Sequence, residues 1–126
     1  MKLCAGVVTT RLAETKQFYL ALGFQVKFEA EWYLLLEAPG HGDEIGFLLP
    51  ELAGQAPVFR PAFGGQGVFV TVEVEDVDVL YQAIQPLPGV PVAVALRDEP
   101  WGDRHFAVVD PNGLALDFVT RTEPAA

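Results

Sequence analysis

The sequence predicts an α+β fold built from two βαβββ modules, and three observations carry the prediction. A strand, a helix and three further strands can be read in that order twice along the chain. Apolar spacing switches from alternation to helical periodicity at the matching place in each half. A Pro- and Gly-rich stretch, "ELAGQAPVFRPAFGGQG", separates the halves. All 126 residues are expected to form one domain, with module one at about 1–50, a linker at about 51–66 and module two at about 67–121.

Module one opens with the apolar run "LCAGVV". In "TTRLAETKQFYLALGF", Leu12, Thr15, Tyr19 and Leu22 recur near helical spacing, with Thr9 or Thr10 as the N-cap candidate and Gly23 as the stop. Phe24, Val26 and Phe28 then alternate with polar neighbours, as do Trp32, Leu34 and Leu36. The "PGHGDE" turn leads into a last run, "EIGFLLP". In module two Val68, Val70, Val72 and Val74 alternate as a strand. Asp76 is a candidate N-cap for a helix with Val77, Leu80, Tyr81 and Ile84 on one face, and Pro86, Pro88 and Gly89 end it. Val90, Val92, Val94 and Leu96, then "RHFAVV", then "LALDFV" after the turn "DPNG", supply three strands.

Composition removes several classes of function. Hydrophobic residues at 51% and charged residues at 20% argue for a folded chain. No apolar run is long enough to span a bilayer. The formal charge is −9, from 17 acids against 8 Lys and Arg that are scattered along the chain, so nucleic acid and anionic membranes are poor partners; a cationic small molecule is favoured electrostatically, although solubility alone accounts for the acidic balance. The opening residues lack the sustained apolar stretch of a secretory signal. The single cysteine, Cys4, precludes an intramolecular disulfide framework and suits a reducing compartment, so the expected location is cytoplasmic.

Asp117 interrupts the last apolar strand, and a carboxylate there is costly unless paired, hydrogen-bonded or bound to metal. His41 lies between glycines and reads as a solvated turn residue. His105 begins a short run, and its periodicity does not say which face it takes. Trp101 falls in "DEPWGDRHF", a polar segment unsuited to a core of its own half, and Trp32 suits either a core or a pocket. "FGGQG" lacks the lysine and the strand-to-helix context of a phosphate loop. Glu73, Glu75, Asp76 and Asp78 cluster where a strand ends and a helix starts, where acids favour the helix dipole.

Taken together, "ETKQFYLALGFQV", "VEDVDVLYQAI" and "DPNGLALDFV" resemble the vicinal oxygen chelate superfamily, which includes glyoxalase I, extradiol dioxygenases, fosfomycin resistance enzymes and bleomycin-binding proteins. The resemblance covers nearly the whole chain. It implies the glyoxalase/bleomycin-resistance type of fold, with a ligand cavity formed between βαβββ sheets. Enzymes of that superfamily hold a divalent metal on the first, fourth, fifth and eighth strands. Those positions correspond here to Cys4, about Phe47, about Phe69 and Asp117. Phenylalanine cannot coordinate, nor can the adjacent Gly46, Leu48, Val68 and Val70, so Cys4 and Asp117 supply two ligands, with His105 a third at most. Neither metal nor other cofactor is expected, with Cys4 a small buried hydrophobe and Asp117 a polar point in the cavity.

"WGDRHF" followed by "DPNG" is also similar to a pattern in drug-sequestering members, in which the equivalent region lines the ligand cleft. The expected function is metal-independent binding of a small aromatic or cationic molecule. The expected ligand-binding residues are Trp32, Phe47, Phe69, Trp101, His105 and Asp117. Two alternatives stay open: an enzyme with a displaced or metal-free site that uses Asp117 or His105 as base, and an interaction module whose cavity is filled by its own side chains. A homodimer is expected, with module pairing either within or between chains.

Overall fold

The computed structural model describes residues 1–124, and its elements follow the βαβββ order twice. Module one contains β1 (Cys4–Val8), α1 (Leu12–Ala21), β2 (Gln25–Glu29), β3 (Tyr33–Glu37) and β4 (Glu44–Leu48). Module two contains β5 (Phe69–Glu73), α2 (Val77–Ile84), β6 (Val92–Glu99), β7 (Asp103–Val109) and β8 (Ala115–Arg121). The sheets are ordered β1-β4-β3-β2 and β5-β8-β7-β6, and in each the first strand pairs in parallel with the last. Each module is a four-stranded sheet with one helix, and the chain divides into two compact units at Gly64 and Gly65. No helix among the described residues is long and apolar enough to cross a membrane.

In module one the core lies between α1 and one face of the sheet. Thr15, Phe18 and Tyr19 of α1 are buried, and they meet Val7, Leu34, Leu36, Ile45 and Phe47. Tyr19 anchors this layer, with its ring 5.1 Å from Phe24 and 5.3 Å from Phe47. The helix starts later than the threonines suggest: Arg11 holds the N-cap position without a side-chain cap, while the Thr9 hydroxyl accepts the Arg11 N–H at 3.0 Å. At the other end Gly23 follows the last turn, and the Phe24 N–H returns to the Tyr19 carbonyl at 3.0 Å. The Pro-rich stretch is not a bare tether. It contains a short 3-10 turn, Pro57–Phe59, and Phe63 N–H donates to the Val8 carbonyl at 2.8 Å.

A bulge in β2 decides what the other face of sheet one carries. Val26 pairs with Leu36, yet Phe28 pairs with Leu35, so Lys27 is the extra residue. Phe28 thereby joins Tyr33 on the helix-free face, with ring centroids 6.3 Å apart, and Lys27 reaches Glu37 and Glu44 there. Glu29, beyond the bulge, returns to the helix side and meets Lys16 of α1 at 2.9 Å.

Module two repeats the plan. Asp76 caps α2 as its sequence suggests, accepting the Val79 N–H at 3.2 Å. Phe106, Val108, Leu116 and Phe118 point to the helix, and Tyr81 meets Phe106 edge-on at 5.0 Å. Arg104 ties the layers together through Asp78 of α2 at 2.8 Å and Asp98 of β6 at 3.3 Å. The "DPNG" turn is fixed by the Asp110 carboxylate, which accepts the N–H groups of Asn112 and Leu114 at 2.8 and 3.0 Å. Gly113 has φ +87°, and a Cβ there would meet the Gly65 carbonyl at 2.9 Å, so both backbone conformation and space require glycine.

Candidate functional site

Alternation along β7 and β8 puts the chemistry of module two on the face away from α2. Since Phe106 and Phe118 face the helix, His105, Asp117 and Arg121 face the other way, together with Phe69 and Thr71 of β5 and with Arg97 and Glu99 of β6. His105 is the centre of this face. Its Nδ1 lies 2.7 Å from Asp117 Oδ1 and its Nε2 lies 2.8 Å from Glu99 Oε2. An ionised carboxylate only accepts hydrogen bonds, so both contacts are satisfied together only when both ring nitrogens carry protons. Burial opposes that charge, the His105 side chain being 13% exposed, but the hydrogen bonds it donates to Glu99 and Asp117 outweigh it and raise the imidazole pKa. Arg97 completes the row by meeting Glu99 at 3.1 Å.

A third carboxylate holds the aromatic component. Trp101 is the middle residue of the three-residue loop between β6 and β7, whose Gly102 adopts φ +102° and donates to the Glu99 carbonyl at 3.1 Å. The polar segment around it is mostly strand and not loop, because Asp98, Glu99 and Asp103 all pair in the ladder. Asp103 accepts the indole N–H at 2.8 Å and Arg121 at 2.7 Å, and both lower its pKa, Arg121 more strongly. The indole is pinned at its edge while 62% of the residue is exposed. Phe69, 66% exposed, stands on the same face, two residues before Thr71, which pairs with Asp117.

The expected site residues separate accordingly. Trp101, His105, Asp117 and Phe69 share one face of sheet two. Phe47 does not line an open face: it is fully buried and packs on Tyr19 of α1. Its neighbour Gly46 is on the helix-free side of β4, beneath the Tyr33 ring. Trp32 belongs to module one, in the β2–β3 turn, partly exposed and 5.6 Å from the Tyr33 ring. Cys4 is exposed and not a buried hydrophobe, because β1 is an edge strand covered only toward its end, at Val7. His41 is an exposed turn residue. Sequence reasoning missed Glu99, Arg97 and Asp103, whose roles depend on a strand pairing that no local spacing announces.

Residues 4–118 match the family described as Glyoxalase/Bleomycin resistance protein/Dioxygenase superfamily. The chain belongs to this superfamily. A bleomycin resistance protein of Geobacillus stearothermophilus is 43% identical over 47 residues, which is 37% of this chain and 36% of that protein. The chain thus matches only about a third of the length of such curated relatives. Among solved structures, a glyoxalase/bleomycin resistance protein/dioxygenase from Nocardioides superposes with a TM-score of 0.79 at 21% identity, covering 98% of this chain and 84% of that one. A bleomycin-binding protein complexed with bleomycin gives a TM-score of 0.69 at 17% identity, covering 96% and 98%. These structures share the superfamily fold.

The donors at the superfamily's metal positions do not fit a metal ion. Phe69, Phe47 and its neighbour Gly46 offer no ligand atom, and Asp117 is engaged by His105. Glu44, which lies beside Cys4 in the register, is held by Lys2 and Lys27, whose hydrogen bonds lower its pKa, Lys27 first. Among the described residues no group of three His, Cys, Asp or Glu is arranged to hold an ion.

Proposed function

We propose that this superfamily member binds a small planar, cationic organic molecule without a metal, on the helix-free face of sheet two. The observation that carries the reading is the Trp101 indole, held at its edge by Asp103 with most of its surface exposed, on a face bearing Glu99 and Asp117. Such an arrangement supplies a stacking plane fixed before a ligand arrives, with carboxylates to favour positive charge. Phe69 offers a second apolar surface. The net charge of −9 favours the same class of ligand. The bleomycin resistance relative and the bleomycin-bound structural neighbour support small-molecule binding as the role of the fold here. General-base catalysis by His105 has less support, since both its ring nitrogens are engaged by carboxylates. We further propose a cytoplasmic homodimer, supported by the apolar exposure of Phe28, Val58 and Phe59 and by a single, exposed cysteine.

The test is a tryptophan-fluorescence titration with metal-free bleomycin and with ethidium, each with and without EDTA. Saturable quenching that is independent of EDTA and lost in Trp101→Ala is the expected outcome. No saturable quenching by either compound would overturn the reading. Light scattering at micromolar concentration checks the dimer.

A further inference from the structure

The Trp101 plane serves a ligand only if the ring is held still, and its own chemistry gives it few means of being held. An indole carries a single hydrogen-bonding group, the N–H, and Asp103 Oδ2 takes it at 2.8 Å. The backbone beside it is fastened as well: the Gly102 N–H donates to the Glu99 carbonyl at 3.1 Å, and the Thr122 N–H donates to the Gly102 carbonyl at 2.8 Å. Those bonds fix the loop. They leave the side-chain torsions of Trp101, exposed as the residue is, to the bond with Asp103. What holds Asp103 therefore decides where the ring lies.

On the premise that Trp101 stacks on a planar cation, we propose that Arg121 is a positioning residue for that stack, acting through Asp103 and without contact to the ligand. Asp103 and Arg121 stand opposite each other in the β7–β8 ladder, and Arg121 Nη1 donates to Asp103 Oδ1 at 2.7 Å. The carboxylate is thus used at both oxygens, one by the guanidinium and one by the indole, which removes its freedom to turn. Glu73 of β5 lies 3.8 Å from Arg121 Nε and draws the guanidinium along the sheet. Exposed ion pairs of this kind add little to stability, so the effect of Arg121 belongs in binding. Its sign separates positioning from plain electrostatics. Arg121 places positive charge on the face that takes a cation, so by charge alone its removal strengthens binding. As a support for the ring, its removal weakens binding, because the indole then samples orientations in which no stack forms and must be ordered by the ligand.

Calorimetric titration of ethidium into the full chain decides between the two signs. Arg121 ends its strand with its side chain half exposed, so the fold tolerates its replacement. Arg121→Met should weaken ethidium by roughly two- to tenfold, a part of the loss expected when the stack itself is removed. In the Trp101→Ala background the same substitution should cause no further weakening, since Arg121 acts through the ring. Arg121→Lys keeps the charge and a donor for Asp103 but not the planar fork, and should show a smaller loss in the same direction. A further measurement needs no ligand: the Trp101 indole N–H, assigned by its absence in Trp101→Ala, should exchange with water faster in Arg121→Met, as read by NMR. Ethidium affinity that is unchanged or increased in Arg121→Met, a loss of equal size with and without Trp101, or an unchanged indole exchange rate overturns the positioning role while leaving ligand binding intact. Failure of ethidium to bind the wild-type chain overturns the binding reading and the role with it.

Discussion

Asp117 and His105 are diagonal neighbours on β8 and β7, with 2.7 Å between Oδ1 and Nδ1, and this contact explains why an acid interrupts an otherwise apolar final strand. The carboxylate is one half of a clamp on an imidazolium. Asp117→Asn keeps the shape and removes the charge, so the His105 pKa should fall toward its ordinary value or below it, as burial is then opposed by Glu99 alone. Titration of the His105 ring proton resonances by NMR checks this. An unchanged His105 titration in Asp117→Asn would contradict the clamp.

The same clamp gives stability a pH dependence whose sign follows from linkage. Because the folded-state pKa of His105 lies above the unfolded value, its contribution is complete below about pH 6.5 and is lost as pH rises through the raised folded value. Melting temperature should therefore decline from pH 6 into the mildly alkaline range, and the decline should be smaller in His105→Gln. Thermal scans of both proteins across that window measure it.

The two tryptophans are expected to behave alike in stability and differently in binding. Trp101 is exposed on a three-residue loop and Trp32 is 44% exposed in a turn, so neither substitution to Ala should unfold the chain. Loss of the Trp101 stacking plane should weaken a planar cation by roughly two- to thirtyfold, the equivalent of about 0.5 to 2 kcal/mol. Calorimetric titration of ethidium against Trp101→Ala measures the loss.

Phe47 and Phe69 present the reverse contrast. Phe47 is enclosed by α1, and Phe47→Ala should cost about 3 to 5 kcal/mol by removing a large ring from a packed layer. Phe69, open to solvent, should cost under about 1 kcal/mol, a surface substitution away from any packed contact. Urea denaturation of the two variants separates them, and equal losses would contradict the facing of Phe47 toward the helix and of Phe69 toward solvent.

Which parts of this architecture are legible in the sequence depends on whether they are local. The helix positions Thr15 and Tyr19, the Asp76 cap and the "DPNG" turn follow from spacing and side-chain chemistry within a few residues, and the structure has them where the sequence suggests. Phe47 does not follow, because in "EIGFLLP" every residue but one is apolar, and a run without alternation does not say which side faces the helix. Glu99 does not follow either. It sits in a stretch with the composition of a loop, and only the pairing of β6 with β7 carries it to the His105 ring. Cys4 is exposed where its residue type suggests burial, since in an edge strand burial is decided by what covers it and not by its own hydrophobicity.

The bulge that turns Lys27 and Phe28 onto one face of sheet one also bears on how copies of this chain behave in a crowd. β2 is an outermost strand, and β6, the corresponding strand of sheet two, is also irregular, with register shifts between Val92 and Val94 and between Val94 and Arg97. A regular outer strand offers a straight row of backbone donors and acceptors on which another chain can extend the sheet. The extra residues put that row out of step, and Lys27 adds a charge at the break, so template-driven fibril growth from these two margins is discouraged by the backbone itself.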